Sequence, residues 1–273
     1  MTQTHTRTIK ALAPIECPEH PFSRVLVLFM SLAVFALLIG VLNFIFRELY
    51  MDVFITQTAL DQVVKKDEYI DIWLVGLRFD AKLAYWLMLP GIFVSLLGAM
   101  GPAFFRLCVR IISVWVALCA AWLIATTCAN IHVLGPTGLP LNAHQVASFM
   151  HAPFANLAAY SANYPVFFDA VITIFVTGLF LGLWHRLTTI FSTSTLWKKE
   201  NMINWLICLC CFFGFVWTSA QTYITSTDPL TPDHARISDI PMVNYLVMNA
   251  PMSIYYSDAH DRLALGKIKK EEE

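Results

Sequence analysis

Chemistry at a membrane face or in water needs an acid-base pair, a nucleophile or a metal set whose members converge. The histidines and carboxylates are therefore the first residues to weigh. His132, His144, His151, His185, His234 and His260 show neither HExxH nor HxH spacing. His144 and His151 share a helix face only if helix runs between them, and they read as ordinary surface histidines. Asp228, Asp233, His234, Arg236 and Asp239 are the densest polar group, but Pro229 and Pro232 predict an extended linker that cannot hold ligands in place. The cluster Cys208, Cys210 and Cys211 has no histidine beside it, so it reads as small polarisable residues in an apolar helix. No cysteine falls in the outer loops, which predicts no disulfide framework, and the chain is expected to hold no metal and no cofactor of its own.

The most specific polar feature is GLRFD, residues 76–80. An Arg and an Asp at a membrane boundary are costly to leave unpaired. Asp80 stands just before an apolar run, where its carboxylate can accept from the free N–H groups of a helix start. Arg78 is close enough to pair with it only if the chain turns there, because i,i+2 residues on a helix face different ways. Two roles follow: helix capping with a structural ion pair, or recognition of a lipid phosphate by the Arg78 guanidinium.

The elements around these residues are set by composition. Of 273 residues, 58% are apolar and 14% charged, against roughly 45–50% and about 25% in soluble chains. The departure is segmental, with long uncharged runs between short polar stretches. The expected fold is all-α, a polytopic transmembrane helical bundle of five spans with short surface helices. Residues 1–21 form a cytoplasmic N-terminal segment, 22–222 the five-helix transmembrane domain, and 223–273 an extracytoplasmic linker or tail. A net charge of −1 gives no basis for a nucleic-acid partner.

The spans are expected at 25–46, 83–100, 108–133, 166–184 and 202–222. The first is too long for a signal-peptide core and is read as retained. Pro90 and Gly91 fall in the second and predict a kink. Ala117, Ala121 and Ala125 place a small stripe on the third, and Gly178 and Gly182 a small face on the fourth, both suited to helix packing. Between spans, 53–64 reads as a short interfacial helix and 143–159 as surface helix interrupted near Pro153. The stretch 242–256 is apolar but short, and reads as surface-associated or re-entrant rather than a sixth span. Arg7, Lys10, Arg24, Arg106, Arg110, Arg186, Lys198 and Lys199 gather on one side of such a bundle, which predicts a cytoplasmic N-terminus and an outer C-terminus.

GLRFD at 76–80, the Ser161-Ala-Asn-Tyr-Pro165 approach to the fourth span and the Asn-x-x-x-x-Asn-Ala-Pro stretch from Asn244 to Pro251 complete a pattern. With the five-span layout, over about residues 22–256, it resembles the N-terminal membrane domain of the lipoteichoic acid synthase and sulfatase-like phosphoglycerol transferase family. The resemblance implies a module that anchors an extracytoplasmic alkaline-phosphatase-like domain. In that family this domain uses a Thr nucleophile and a divalent metal, manganese or magnesium, to move phosphoglycerol from a lipid. Here about 50 residues follow the fifth span, and Thr222, Thr225, Thr227 and Thr231 have no supporting metal constellation. The chain is expected to be an anchor or scaffold that is not catalytic alone, with membrane lipids and a separately encoded extracytoplasmic catalytic domain as partners. A small-solute transporter or channel is the alternative, resting on unwound backbone near Pro90. A membrane enzyme in its own right would need Asp169, His151 or the 228–239 cluster to converge.

Overall fold

The computed structural model describes residues 15–65, 68–193 and 230–264, and every regular element among them is helical. The helices are α1 (Pro21–Phe54), α2 (Gln57–Lys65), α3 (Glu68–Leu96), α4 (Pro102–Thr137), α5 (Ala143–His151), α6 (Pro153–Ser161), α7 (Val166–Thr193), α8 (Pro241–Val247), α9 (Ala250–Tyr255) and α10 (His260–Leu263). Four are long and apolar enough to cross a membrane: α1, α3 with the tight turn Leu97–Met100 that follows it, α4 and α7. The expected span at 202–222 and the cysteines at 208, 210 and 211 lie outside the described residues.

Each long helix outruns the apolar run that announces it. α1 starts with Pro21 in its first turn, where a missing N–H costs nothing, and continues through Arg47 and Glu48 to Phe54. α4 likewise starts on Pro102 and ends at Gly138, whose φ of 66° lets its N–H return to the Leu134 carbonyl. The largest difference from the sequence expectation is at 47–82. That stretch is mostly helix: the end of α1, then α2, then the first turns of α3. Its charges misled because they lie between apolar residues at helical spacing. Ile72, Gly76, Phe79 and Leu83 are buried, and Glu68 and Asp71 occupy the first turn, where negative charge suits the exposed N–H groups.

The bundle is antiparallel with α1 at its centre. Half of the most apolar stretch of α1 is buried, against 6% of that of α7. At one end Ser31 of α1 receives a hydrogen bond from Thr188 of α7 (3.3 Å), and Phe35 meets Phe180 edge to face at 5.6 Å. The turn at 97–100 lies at this same end, with Gly98 against Leu28 and Arg24. Between α3 and α4, the Trp115 indole donates to the Leu87 carbonyl (2.6 Å). Leu87 lies in the turn just before Pro90. α3 runs on through Pro90 and Gly91. At Gly91 the absent side chain lets Leu32 of α1 approach, since an added Cβ would sit 3.0 Å from a Leu32 methyl.

The stretch 242–256 folds as α8 and α9, too short to span a bilayer. It packs on the bundle: Val243, Leu246, Val247, Met248 and Met252 all belong to the core. It rests on the end of the bundle opposite Ser31 and Gly98, against α1, α3 and α4. The break near Pro153 separates α5 from α6 at Ala152.

Candidate functional site

Many of the buried polar groups of the described chain, Arg47, Asp80, Lys82, Asn244 and Asn249 among them, lie at that second end. The Arg47 side chain is 3% exposed and that of Asp80 is 1% exposed. Arg47 Nη2 donates to Asp80 Oδ2 (2.9 Å) and to the Val247 carbonyl (3.2 Å), while Nε donates to the Leu246 carbonyl (3.2 Å). Leu246 and Val247 end α8, where carbonyls have no partner within the helix, so the guanidinium supplies one. Asn249 completes the set. Its Nδ2 donates to Asp80 Oδ1 (2.9 Å), and its Oδ1 accepts from the Met252 N–H (3.0 Å) as the N-cap of α9.

Asp80 is thus paired, but with Arg47 rather than Arg78. The expected turn at 76–80 does not form, because α3 is continuous there and Arg78 points to a different side from Asp80. Asp80 is also not a helix cap, lying well inside α3. Gly76 and Asp80, one turn apart, share the face that meets Arg47. A Cβ on Gly76 would overlap the guanidinium carbon and stand 2.7 Å from Nε. Arg78 itself is half-buried.

A second cation anchors the other side of the same segment. Lys82 Nζ donates to the Leu230 carbonyl (3.1 Å) and to the Tyr256 hydroxyl, and lies 5.7 Å above the Trp86 ring. The segment is knotted internally by Asn244. Its Oδ1 accepts from the Ile237 and Ser238 N–H groups, and its Nδ2 donates to the Ser238 and Leu263 carbonyls. Beside the ion pair, Asn43, Tyr50, Thr127 and Asn249 line a small cleft. Among the described residues the buried Asn43 Nδ2 has no hydrogen-bond partner.

Other polar pairs lie away from this ion pair. His132 Nε2 lies 2.7 Å from Asp169 Oδ2 and ties the end of α4 to the start of α7. Asp169 therefore meets His132, a residue the linear pattern did not single out, and not His151. Ser253 Oγ lies 2.9 Å from His260 Nε2, a distance at which a base can activate a hydroxyl. Ser253 is only 1% exposed, however, and the same Nε2 is 3.0 Å from the Ser253 carbonyl, so the pair closes the turn after α9. Burial pushes the His260 pKa below its ordinary value, against the opposing pull of the Ser253 carbonyl, Asp261 and Asp258. In the 228–239 cluster, Asp233 pairs with Arg262 (2.8 Å), and His234 joins Thr231 in a capping turn. Asp228 lies outside the described residues. No three His, Cys, Asp or Glu side chains among the described residues converge as metal ligands.

The packing candidates are used unequally. Ser113, one turn before Ala117 on its stripe, accepts from the Trp184 indole of α7 (2.9 Å), which sets the start of the stripe on the α7 side. Ala117 and Ala121 are half-buried and Ala125 exposed. Gly178 and Gly182 are exposed, and a Cβ on either would meet nothing within 4 Å.

In the sequence Arg47 simply follows the first apolar run, and its partners lie 33, 199 and 200 residues away. A charge that closes an apolar run, followed by a glycine and an aspartate spaced i,i+4 in the next helix, is the one local hint of this site. The chain matches no known family model, no curated protein and no solved structure.

Proposed function

We propose that this chain is a membrane anchor or scaffold module related to envelope phosphoglycerol/phosphoethanolamine-type transferases. In this reading it lies in the bacterial cytoplasmic (inner) membrane as five spans, with 202–222 the fifth, its N-terminus in the cytoplasm and its C-terminus outside. It acts with a separately encoded catalytic domain that brings the divalent metal, and does not transfer headgroups alone.

One observation carries the reading. The segment 230–264 returns to the bundle and is held there by buried charge, through Arg47 to the α8 carbonyls, Asn249 to Asp80 and Lys82 to Leu230. A tail that merely trailed from the membrane would not need a desolvated ion pair, which costs several kcal/mol per ion to bury and about 3–5 kcal/mol to break. A docked one sets the height and direction of whatever follows or binds it. The stretches that carry the family resemblance supply Gly76, Asp80 and Asn249 at this dock, and Asn244 within the docked segment. Half-buried Arg78 is then free of the ion pair and suits contact with a lipid phosphate.

The test is reconstitution in liposomes containing headgroup-labelled phosphatidylglycerol, with manganese, with and without a soluble metal-dependent phosphoglycerol transferase domain. Release is expected only with both proteins, and more than with the soluble domain alone. Release by this chain alone, or no effect of the chain on the soluble domain, overturns the proposal. Flux of a small solute through the same liposomes would favour the channel alternative.

A further inference from the structure

The hairpin of α5 and α6 hangs between the end of α4 and the start of α7, and neither of its helices contains a buried residue. Phe154 is 87% exposed, and Met150 and Leu157 are also exposed. From 133 to 168 there is no Asp, Glu, Lys or Arg. Isolated helices of this length are marginal in water, and an uncharged one with its apolar residues outward gains nothing there.

The hairpin is nevertheless firmly built. Asn142 and Gln145 form a reciprocal capping box at the start of α5 (2.8 and 3.0 Å). Asn156 Nδ2 donates to the Ser148 and Phe149 carbonyls (3.1 and 2.9 Å), tying α6 to the end of α5. Ring contacts run from Phe149 to Tyr160 (6.3 Å), to Tyr164 (4.7 Å) and to His132 (5.0 Å), where the His132–Asp169 pair closes the base. This ladder fixes how the hairpin is presented. On α6, Phe154, Leu157 and Ala158 fall at i, i+3 and i+4 and share one face.

We propose that the α5–α6 hairpin is a lipid-contacting interfacial element that seats Phe154 and Leu157 at the boundary between headgroups and acyl chains. Two observations choose lipid over a protein partner. The hairpin is continuous at both ends with helices long and apolar enough to span the bilayer, and it has no formal charge with which to select a charged partner. An apolar face of this kind penetrates by about 5–10 Å. This element is independent of the dock formed by Arg47 and Asp80.

The test places a nitroxide spin label at 154, and in separate samples at 157 and 174, in the cysteine-free full chain in phosphatidylcholine/phosphatidylglycerol vesicles. Collision rates are then read with oxygen, which partitions into lipid, and with a water-soluble nickel complex. The ratio at 154 and 157 is expected to shift toward oxygen, as at Ile174, an exposed residue of α7. High nickel accessibility means water, and low accessibility to both means cover by another part of the chain or a second copy. Either result overturns the proposal. As a check on the unsubstituted chain, a phospholipid with a photoreactive acyl chain should label peptides within 143–161, and labelling of α7 without them has the same overturning force.

Discussion

Gly76 of α3 lies directly beneath the guanidinium of Arg47, close enough that no other residue type leaves that side chain where it is. One turn further on, Asp80 accepts from the same guanidinium. The glycine is therefore a space-maker for an ion pair and not a hinge, and α3 is helical on both sides of it.

Gly76→Ala tests this arrangement with a single carbon. In an unconstrained helix the change would stabilise by about 0.8–1.0 kcal/mol. Here the added Cβ displaces Arg47, and overpacking of this kind costs about 1–3 kcal/mol. The net expectation is a lower thermal midpoint in detergent, with faster proteolysis within 230–264. A midpoint equal to or above that of the parent would show that Arg47 relaxes freely and that the close approach carries no weight.

The bundle itself was legible in composition, because an uncharged run longer than the bilayer core has few alternatives to helix. Its ends were not, since hydropathy marks the apolar run, whereas the helices begin at residues such as Pro21 and Pro102 and end at others such as Gly138 that lie beyond it. GLRFD and Asn244 to Pro251 stood out as short motifs, yet the residue they both serve did not. Arg47 has the ordinary appearance of a charge ending a span. Its role follows from the fold, which brings the α8 carbonyls to it across about two hundred residues. The Arg78–Asp80 pair needed a turn at 76–80, where i,i+2 residues can meet, and the chain is helical there instead.

His260 makes docking of the C-terminal segment depend on pH. It is buried against Ser253, with Tyr245, Asp258 and Asp261 around it. Burial holds its folded pKa below the ordinary 6.5. The unfolded or undocked segment therefore binds the proton first as pH falls. The stabilising contribution of neutral His260 is fully present above about pH 6.5 and is lost as pH drops from there through the folded pKa. Amide hydrogen exchange at 241–263 should accelerate between pH 7.5 and pH 5, after correction for intrinsic exchange, and His260→Gln should flatten that dependence. An unchanged slope in the variant would assign the effect to another group.

The junction also makes a prediction that separates charge from shape. Asn249 has two tasks: its Oδ1 caps α9 and its Nδ2 donates to Asp80. Asn249→Asp keeps the cap but sets a second carboxylate against Asp80 where only one guanidinium is near. Asn249→Ala loses both bonds without adding charge, at about 1 kcal/mol for the cap and about 1.5–3 kcal/mol for a bond to a charged group. Asn249→Asp should be the more damaging of the two, because like charges at this separation and burial repel strongly. Adding Asp80→Asn to it exchanges the amide and the carboxylate, restores one negative charge beside Arg47 and should recover part of the lost thermal midpoint. The double variant must then be more stable than Asn249→Asp alone. If it is as unstable as the sum of the two single changes, the residues do not act as one network, and the segment is held by apolar packing of Leu246, Val247 and Met252 instead.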